Sequence, residues 1–202
     1  FAAIAAMRRV AYRVGLCGTT RMPVAVIVVG NITAGGTGKT PLTIALARQL
    51  RQQNRRPGIV CRGYGGNATK PQAVLPGSDA GIAGDEAVLM ARRSDCPVWI
   101  GADRVAAARG LLADNPDCDV LLSDDGLQHY ALARDFEIAV IDTTRGLGNG
   151  MRLPAGPLRE PASRLATVDA IVLNGGGPPP SVGPQGGGGI GPQGGGPGIG
   201  RG

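Results

Sequence analysis

The residues best suited to chemistry sit in one stretch, Gly30-Asn31-Ile32-Thr33-Ala34-Gly35-Gly36-Thr37-Gly38-Lys39-Thr40-Pro41. It follows the phosphate-binding pattern G-x-x-x-x-G-K-[ST], with Gly38, Lys39 and Thr40 in register and Thr33 in place of the first glycine. Glycines at 35, 36 and 38 free the backbone to curl its N–H groups around phosphate oxygens. A helix opening at Lys39 would add its positive end. Lys39 can reach β and γ phosphates, and the Thr40 hydroxyl can face Mg²⁺. Such a loop needs an acidic partner for the metal at the end of another strand, and Val120-Leu121-Leu122-Ser123-Asp124-Asp125 supplies two. Adjacent carboxylates repel unless a cation stands beside them. Asp125-Gly126 is also a turn signal, but beside a phosphate loop metal duty is the better account. His129, the only histidine, lies five residues past Asp124. A lone histidine is ordinarily a packing or surface residue; here phosphate contact and proton transfer are open to it as well. Asp85 and Glu86 follow Gly84, and on spacing alone they complement a helix N-terminus.

These residues need a scaffold. Residues 24–30 form a β-branched apolar run, the mark of a strand buried on both faces of a parallel sheet. Further runs at 58–61, 97–100, 119–122, 136–141 and 169–173 alternate with helical patterns at 41–51, 84–93 and 103–113. The alternation predicts an α/β fold, a mostly parallel sheet with helices on both faces. Such sheets bind ligands beyond the carboxyl ends of their strands.

Composition sets the limits. Of 35 glycines and 16 prolines, 15 and 6 fall in residues 175–202, so that segment is expected to be a low-complexity, disordered tail. The first 174 residues suffice for one domain, read as 21–174. Residues 1–20 form a basic segment, with Arg8, Arg9 and Arg13 among apolar residues. An amphipathic helix on an anionic membrane surface and an ordinary packed surface helix are both open there. The four cysteines form no CxxC pair, so neither a zinc site nor a disulfide framework is signalled. A net charge of +6 admits nucleic acid, anionic lipid or phosphorylated ligands. The six aromatics are not interleaved with basic residues, which argues against a single-strand stacking surface. A phosphate-handling or membrane-surface protein, with no nucleic-acid partner, is therefore expected.

Taken together, GNITAGGTGKTP (30–41), RGYGG (62–66), GDE (84–86), DDGLQHYALARDFEIAVID (124–142) and GNGMRLPAGPLREP (148–161) resemble the tetraacyldisaccharide 4'-kinases. The resemblance covers roughly residues 1–174, the amino-terminal half of such an enzyme, and the family's loop also lacks the first glycine. It implies an ATP- and Mg²⁺-dependent P-loop kinase acting on the lipid A disaccharide precursor at the cytoplasmic face of the bacterial inner membrane. By motif, Thr33, Gly35, Gly36, Thr37, Gly38, Lys39 and Thr40 would hold the nucleotide. Asp124 would face the metal with Asp125 in support, and Glu160 would assist it. Asp85 resembles the family's general base, which displaces the helix-end reading. Tyr64 resembles a lipid contact, and Gln128 and His129 resemble either phosphate contacts or supports for the residues that make them. The family continues into a second α/β domain whose histidine pairs with the base. Without that domain, turnover of this chain is expected to be low or nil. The rival readings are a nucleotide-binding fragment without turnover and a switch ATPase of the KGGxGKT kind. Against the latter, Ala34 stands where that class places lysine.

Overall fold

The computed structural model describes residues 11, 12 and 16–176. Nearly all of the Gly/Pro-rich tail and most of the basic amino-terminal segment therefore lie outside the described residues. Seven strands form one sheet: β1 (Ala25–Gly30), β2 (Pro57–Cys61), β3 (Gln72–Val74), β4 (Val98–Ile100), β5 (Val120–Asp124), β6 (Phe136–Asp142) and β7 (Ala170–Asn174). Their order is β3-β4-β2-β5-β1-β6-β7. All neighbouring pairs are parallel except β3 with β4. The helices are α1 (Lys39–Gln52), α2 (Ala80–Ala83), α3 (Asp85–Arg93) and α4 (Arg104–Asp114), with a 3₁₀ turn at Ala162–Thr167.

The continuous apolar runs became the central strands. Every residue of β2 and β5 is buried, as a parallel sheet covered on both faces requires. On one face, Ile44 and Ala47 of α1 join Ala87, Val88 and Met90 of α3 over Ile59 and Leu122. On the other, Ala107, Ala108 and Leu111 of α4 pack with Val26, Val60 and Leu121. Asp103 caps α4 by accepting hydrogen bonds from the backbone N–H groups of Val105 and Ala106. Helices thus lie on both faces, as expected. Strand β3 was not foreseen: its three residues carry no apolar run, and it gains its place by pairing Gln72–Val74 with β4. Among the described residues no helix is long and apolar enough to cross a membrane.

Behind β6 a buried ionic cluster ties the 3₁₀ turn to the sheet. Arg164 donates to both oxygens of Glu137 at 2.6 and 2.7 Å, and Arg134 reaches Glu137 Oε1 at 2.9 Å. A glutamate inside an otherwise apolar strand is tolerated because both cations meet it there.

Candidate nucleotide site

The parallel strands all end at one edge of the sheet, and the chemistry-bearing residues gather beyond it. The chain leaves β1 at Gly30 and enters the loop through Asn31 and Ile32, both fully or nearly fully buried. Thr33 makes an antiparallel bridge with Leu158, and Ala34 N–H donates to the Pro157 carbonyl at 2.7 Å. This limb is extended, and Thr33 does not have positive φ. That explains why a β-branched residue serves at the first-glycine position. The curl comes later, at Gly35 (φ +103°) and Gly38 (φ +89°), where side chains would be strained. Around Gly36 the space is open.

Asn31 Nδ2 reaches the Gly35 carbonyl at 3.3 Å across the curl. Asn31 Oδ1 and Thr37 Oγ1 are buried with no hydrogen-bond partner among the described atoms. Buried polar atoms left this way are costly, so they mark a place where ligand or water belongs.

Lys39 opens α1 and its Nζ stands 3.6 Å from Asp125 Oδ1. Thr40, one residue on, is buried. Asp124 ends β5 opposite Val29 of β1, so strand pairing alone brings the carboxylate beneath the loop. Its Oδ1 accepts from Thr43 Oγ1 at 2.9 Å. Burial, with the neighbouring Asp125 and Glu86 carboxylates adding to it, pushes the Asp124 carboxyl up to about 6; Thr43 and Lys39 pull the other way. Asp125 adopts φ +50° and also pairs with Arg159 at 3.2 Å. Gly126 N–H then returns to the Val29 carbonyl, closing the turn on β1.

Gln128 Nε2 donates to the Asn31 carbonyl at 3.0 Å and to Glu160 Oε1 at 2.8 Å. The other oxygen of Glu160 accepts from Tyr130 at 2.7 Å and lies 3.5 Å from Arg164 Nε. Both oxygens of Glu160 are therefore engaged by protein donors. Among the described residues, no three of His, Cys, Asp or Glu cluster as a metal cage. The arrangement fits a cation held jointly by a hydroxyl, a carboxylate and phosphate oxygens. His129 has its backbone fixed by Gly126 and Arg134.

The remaining predicted residues lie on the β2 side. Tyr64 follows the end of β2 and is 79% exposed. Its carbonyl abuts Gly84 so closely that a Cβ there would collide with it, which brings the RGYGG loop against the residue preceding Asp85. Asp85 begins α3 with its side chain in solvent, and Glu86 beside it is close enough to raise Asp124.

Several residues were missed. Arg104, at the first turn of α4, is 2% exposed and donates to the Gly101 carbonyl at 2.6 Å, while its Nε has no partner among the described atoms. Burial lowers its pKa; Cys61, then Asp125 and Asp124, oppose that. Scanning the residues after the run at 97–100 could have found it. Arg159 lay inside the PLREP motif, and Thr43 one helical turn past Lys39. Asn174 carried no local signal.

The fold and this site define an α/β nucleotide-binding protein of the P-loop class. The family model for LpxK, tetraacyldisaccharide-1-P 4'-kinase, matches residues 1–185, and the chain belongs to that family. It is 61% identical over 170 residues to the tetraacyldisaccharide 4'-kinase of Nitrosococcus oceani, covering 84% of this chain and 50% of the relative. To that of Chromobacterium violaceum it is 57% identical over 175 residues, covering 87% and 51%. The crystal structure described as the "apo" form of LpxK from Aquifex aeolicus in complex with ATP matches with a TM-score of 0.77 at 33% identity. That match covers 85% of this chain and 55% of the other. The chain spans about half the length of the curated relatives it matches.

Proposed function

We propose that this chain is the nucleotide-binding part of a kinase that moves the γ-phosphoryl group of ATP to the 4'-hydroxyl of a tetraacyldisaccharide 1-phosphate. The observation that carries the reading is the convergence of Lys39, Thr40, Asp124 and Asp125 at a glycine loop whose buried Asn31 and Thr37 oxygens lack partners. In this reading the backbone from Thr33 to Thr40 surrounds the phosphates, and Lys39 with Arg159 offsets their charge. Thr40 and Asp124 hold Mg²⁺, with Asp125 keeping Lys39 and Arg159 in place. Bound there, the metal neutralises charge on the phosphate oxygens. Glu160, Gln128 and Tyr130 brace the loop instead of meeting the metal. The acceptor oxygen attacks the γ-phosphorus, the bond to the bridging oxygen breaks, ADP leaves, and Asp85 takes the hydroxyl proton. Positioning and charge neutralisation carry most of the rate. Tyr64 meets the substrate and His129 the phosphates.

Location at the cytoplasmic face of the inner membrane belongs to the same proposal. It is supported by the net charge of +6 and by the arginines among residues 1–16. So does the domain division, with residues 21–174 as the kinase domain. Full turnover is assigned to the whole enzyme, because the relatives run to about twice the aligned length.

Calorimetric titration of the chain with Mg·ATP, beside Lys39→Ala, tests the reading. Saturable binding lost in the variant is expected, and a chain that ignores Mg·ATP would falsify it. Joining the chain to a relative's carboxyl half should then yield phosphorylated disaccharide, abolished by Asp85→Ala.

A further inference from the structure

Asn174 ends β7, in register with Asp142 of β6. Its main chain is held by Thr143, whose N–H donates to the Asn174 carbonyl at 2.9 Å. Its side chain leaves the sheet and crosses to the phosphate loop, where Nδ2 donates to the Thr37 carbonyl at 3.1 Å. The two residues are 137 positions apart in the chain. Gly38 lies directly against this amide. A Cβ on Gly38 would come 2.5 Å from Asn174 Nδ2 and 3.1 Å from Cγ. Gly38 is thus required twice, for its φ of +89° and for the room it leaves the asparagine.

The peptide joining Thr37 to Gly38 is planar and trans, so its carbonyl and its N–H point in opposite directions. Holding the carbonyl toward β7 turns the Gly38 N–H away from β7. Phosphate loops bind through such N–H groups, and a rotated peptide would offer the anion a carbonyl oxygen instead. A peptide flanked by glycine rotates easily unless something holds it.

We infer that Asn174 is a positioning residue of the nucleotide site: by donating to the Thr37 carbonyl it fixes the Thr37–Gly38 peptide in the orientation that presents the Gly38 N–H to phosphate. The purpose of this latch rests on the nucleotide reading above; its existence does not. The amide donor is the working part. Aspartate has the same shape without the donor, and it places a negative charge against a carbonyl and an incoming phosphate.

The test compares the full chain with Asn174→Ala, Asn174→Asp and Asn174→His, the last retaining an N–H at the same distance from Cβ. In the ligand-free protein, ¹⁵N relaxation reads the Gly38 amide. Its order parameter should fall from the roughly 0.85 of rigid backbone toward about 0.6 in Ala and Asp. Mg·ATP titration should show binding weakened about three- to tenfold in Ala, the worth of one neutral hydrogen bond, and further in Asp. His should restore most of it. Melting of the ligand-free variants should stay close to wild type, because the strand's own hydrogen bonds to Thr143 and β6 remain. An unchanged Gly38 amide, or wild-type Mg·ATP affinity in both Ala and Asp, overturns the inference. So does loss of affinity that merely tracks lost thermal stability. A loosened Gly38 amide in a chain whose wild type takes up no Mg·ATP supports the latch and overturns the nucleotide reading alone.

Discussion

Replacing Asp124 by asparagine should make the metal-free protein more stable at neutral pH while weakening its hold on Mg·ATP. The carboxyl is 2% exposed, and burial moves its pKa from 3.8 to about 6. A carboxylate raised in the folded state behaves oppositely to one held in an ion pair. The native protein retains a proton that the unfolded chain has released. Stability is therefore whole below the unfolded pKa and is lost as pH rises through the folded one. A rise of that size corresponds to about 3 kcal/mol, an upper figure because local relaxation and water entry reduce it. The loss falls between about pH 4 and pH 6 and is complete by neutrality. Asparagine keeps an oxygen for the Thr43 hydroxyl, whose bond at 2.9 Å survives the change, and it carries no charge to desolvate. Urea denaturation in EDTA should show Asp124→Asn more stable than wild type by about 1–3 kcal/mol at pH 7.5, the gap closing near pH 4. Mg·ATP at a concentration that saturates the wild type should reverse the order, since binding stabilises the tighter binder more. A variant less stable than wild type at pH 7.5, or a gap indifferent to pH, refutes the claim that the folded protein strains against an ionised Asp124.

Two further outcomes follow from packing. Arg164→Met leaves Glu137 buried with only Arg134 to meet it, and should cost about 3–5 kcal/mol in urea denaturation; a loss under about 1 kcal/mol would show that the cluster is not a support of β6. Gly84→Ala forces a side chain into a backbone at φ +88° and ψ +142° and against the Tyr64 carbonyl. It should cost about 1–3 kcal/mol in thermal or urea melts, and wild-type stability would mean that the RGYGG loop is not packed on the turn before Asp85.

How far the sequence was readable follows from how local each signal is. The central strands were legible because burial on both faces demands an unbroken apolar run, and VAVIVV at 24–29 meets that demand without help from the rest of the chain. The loop was legible for a related reason: curl, lysine and helix start lie within ten residues. Strand β3 was not, since Gln72–Val74 has no intrinsic reason to be extended apart from β4. Arg104 and Asn174 reach the site through strand order, which short apolar runs do not specify. Asp85 shows the same limit. Its acidic pair suits a helix end, and only the packing of Gly84 against Tyr64 sets that end beside the RGYGG loop that follows β2.

A glycine-rich loop binds phosphate with backbone that is entropically expensive to hold still. Here the cost is met from three directions. From the turn after β5, Asp125 joins Lys39 to Arg159. From the 148–161 segment, Pro157 takes the Ala34 N–H, and Arg159 N–H donates to the Ile32 carbonyl at 2.7 Å. From β7, Asn174 takes Thr37. Gln128 adds a fourth hold at Asn31, itself fixed by Glu160. Motifs that look like separate signatures along the chain, DDGLQH and PLREP among them, are therefore parts of one clamp. Weakening any of them should act on nucleotide affinity before it acts on the metal. That ordering distinguishes Glu160 from Asp124: Glu160→Gln should lower affinity for Mg·ATP at every Mg²⁺ concentration alike, whereas Asp124→Asn should raise the Mg²⁺ needed. A Glu160 variant whose defect vanishes at high Mg²⁺ would return that residue to the metal and break the clamp at that point.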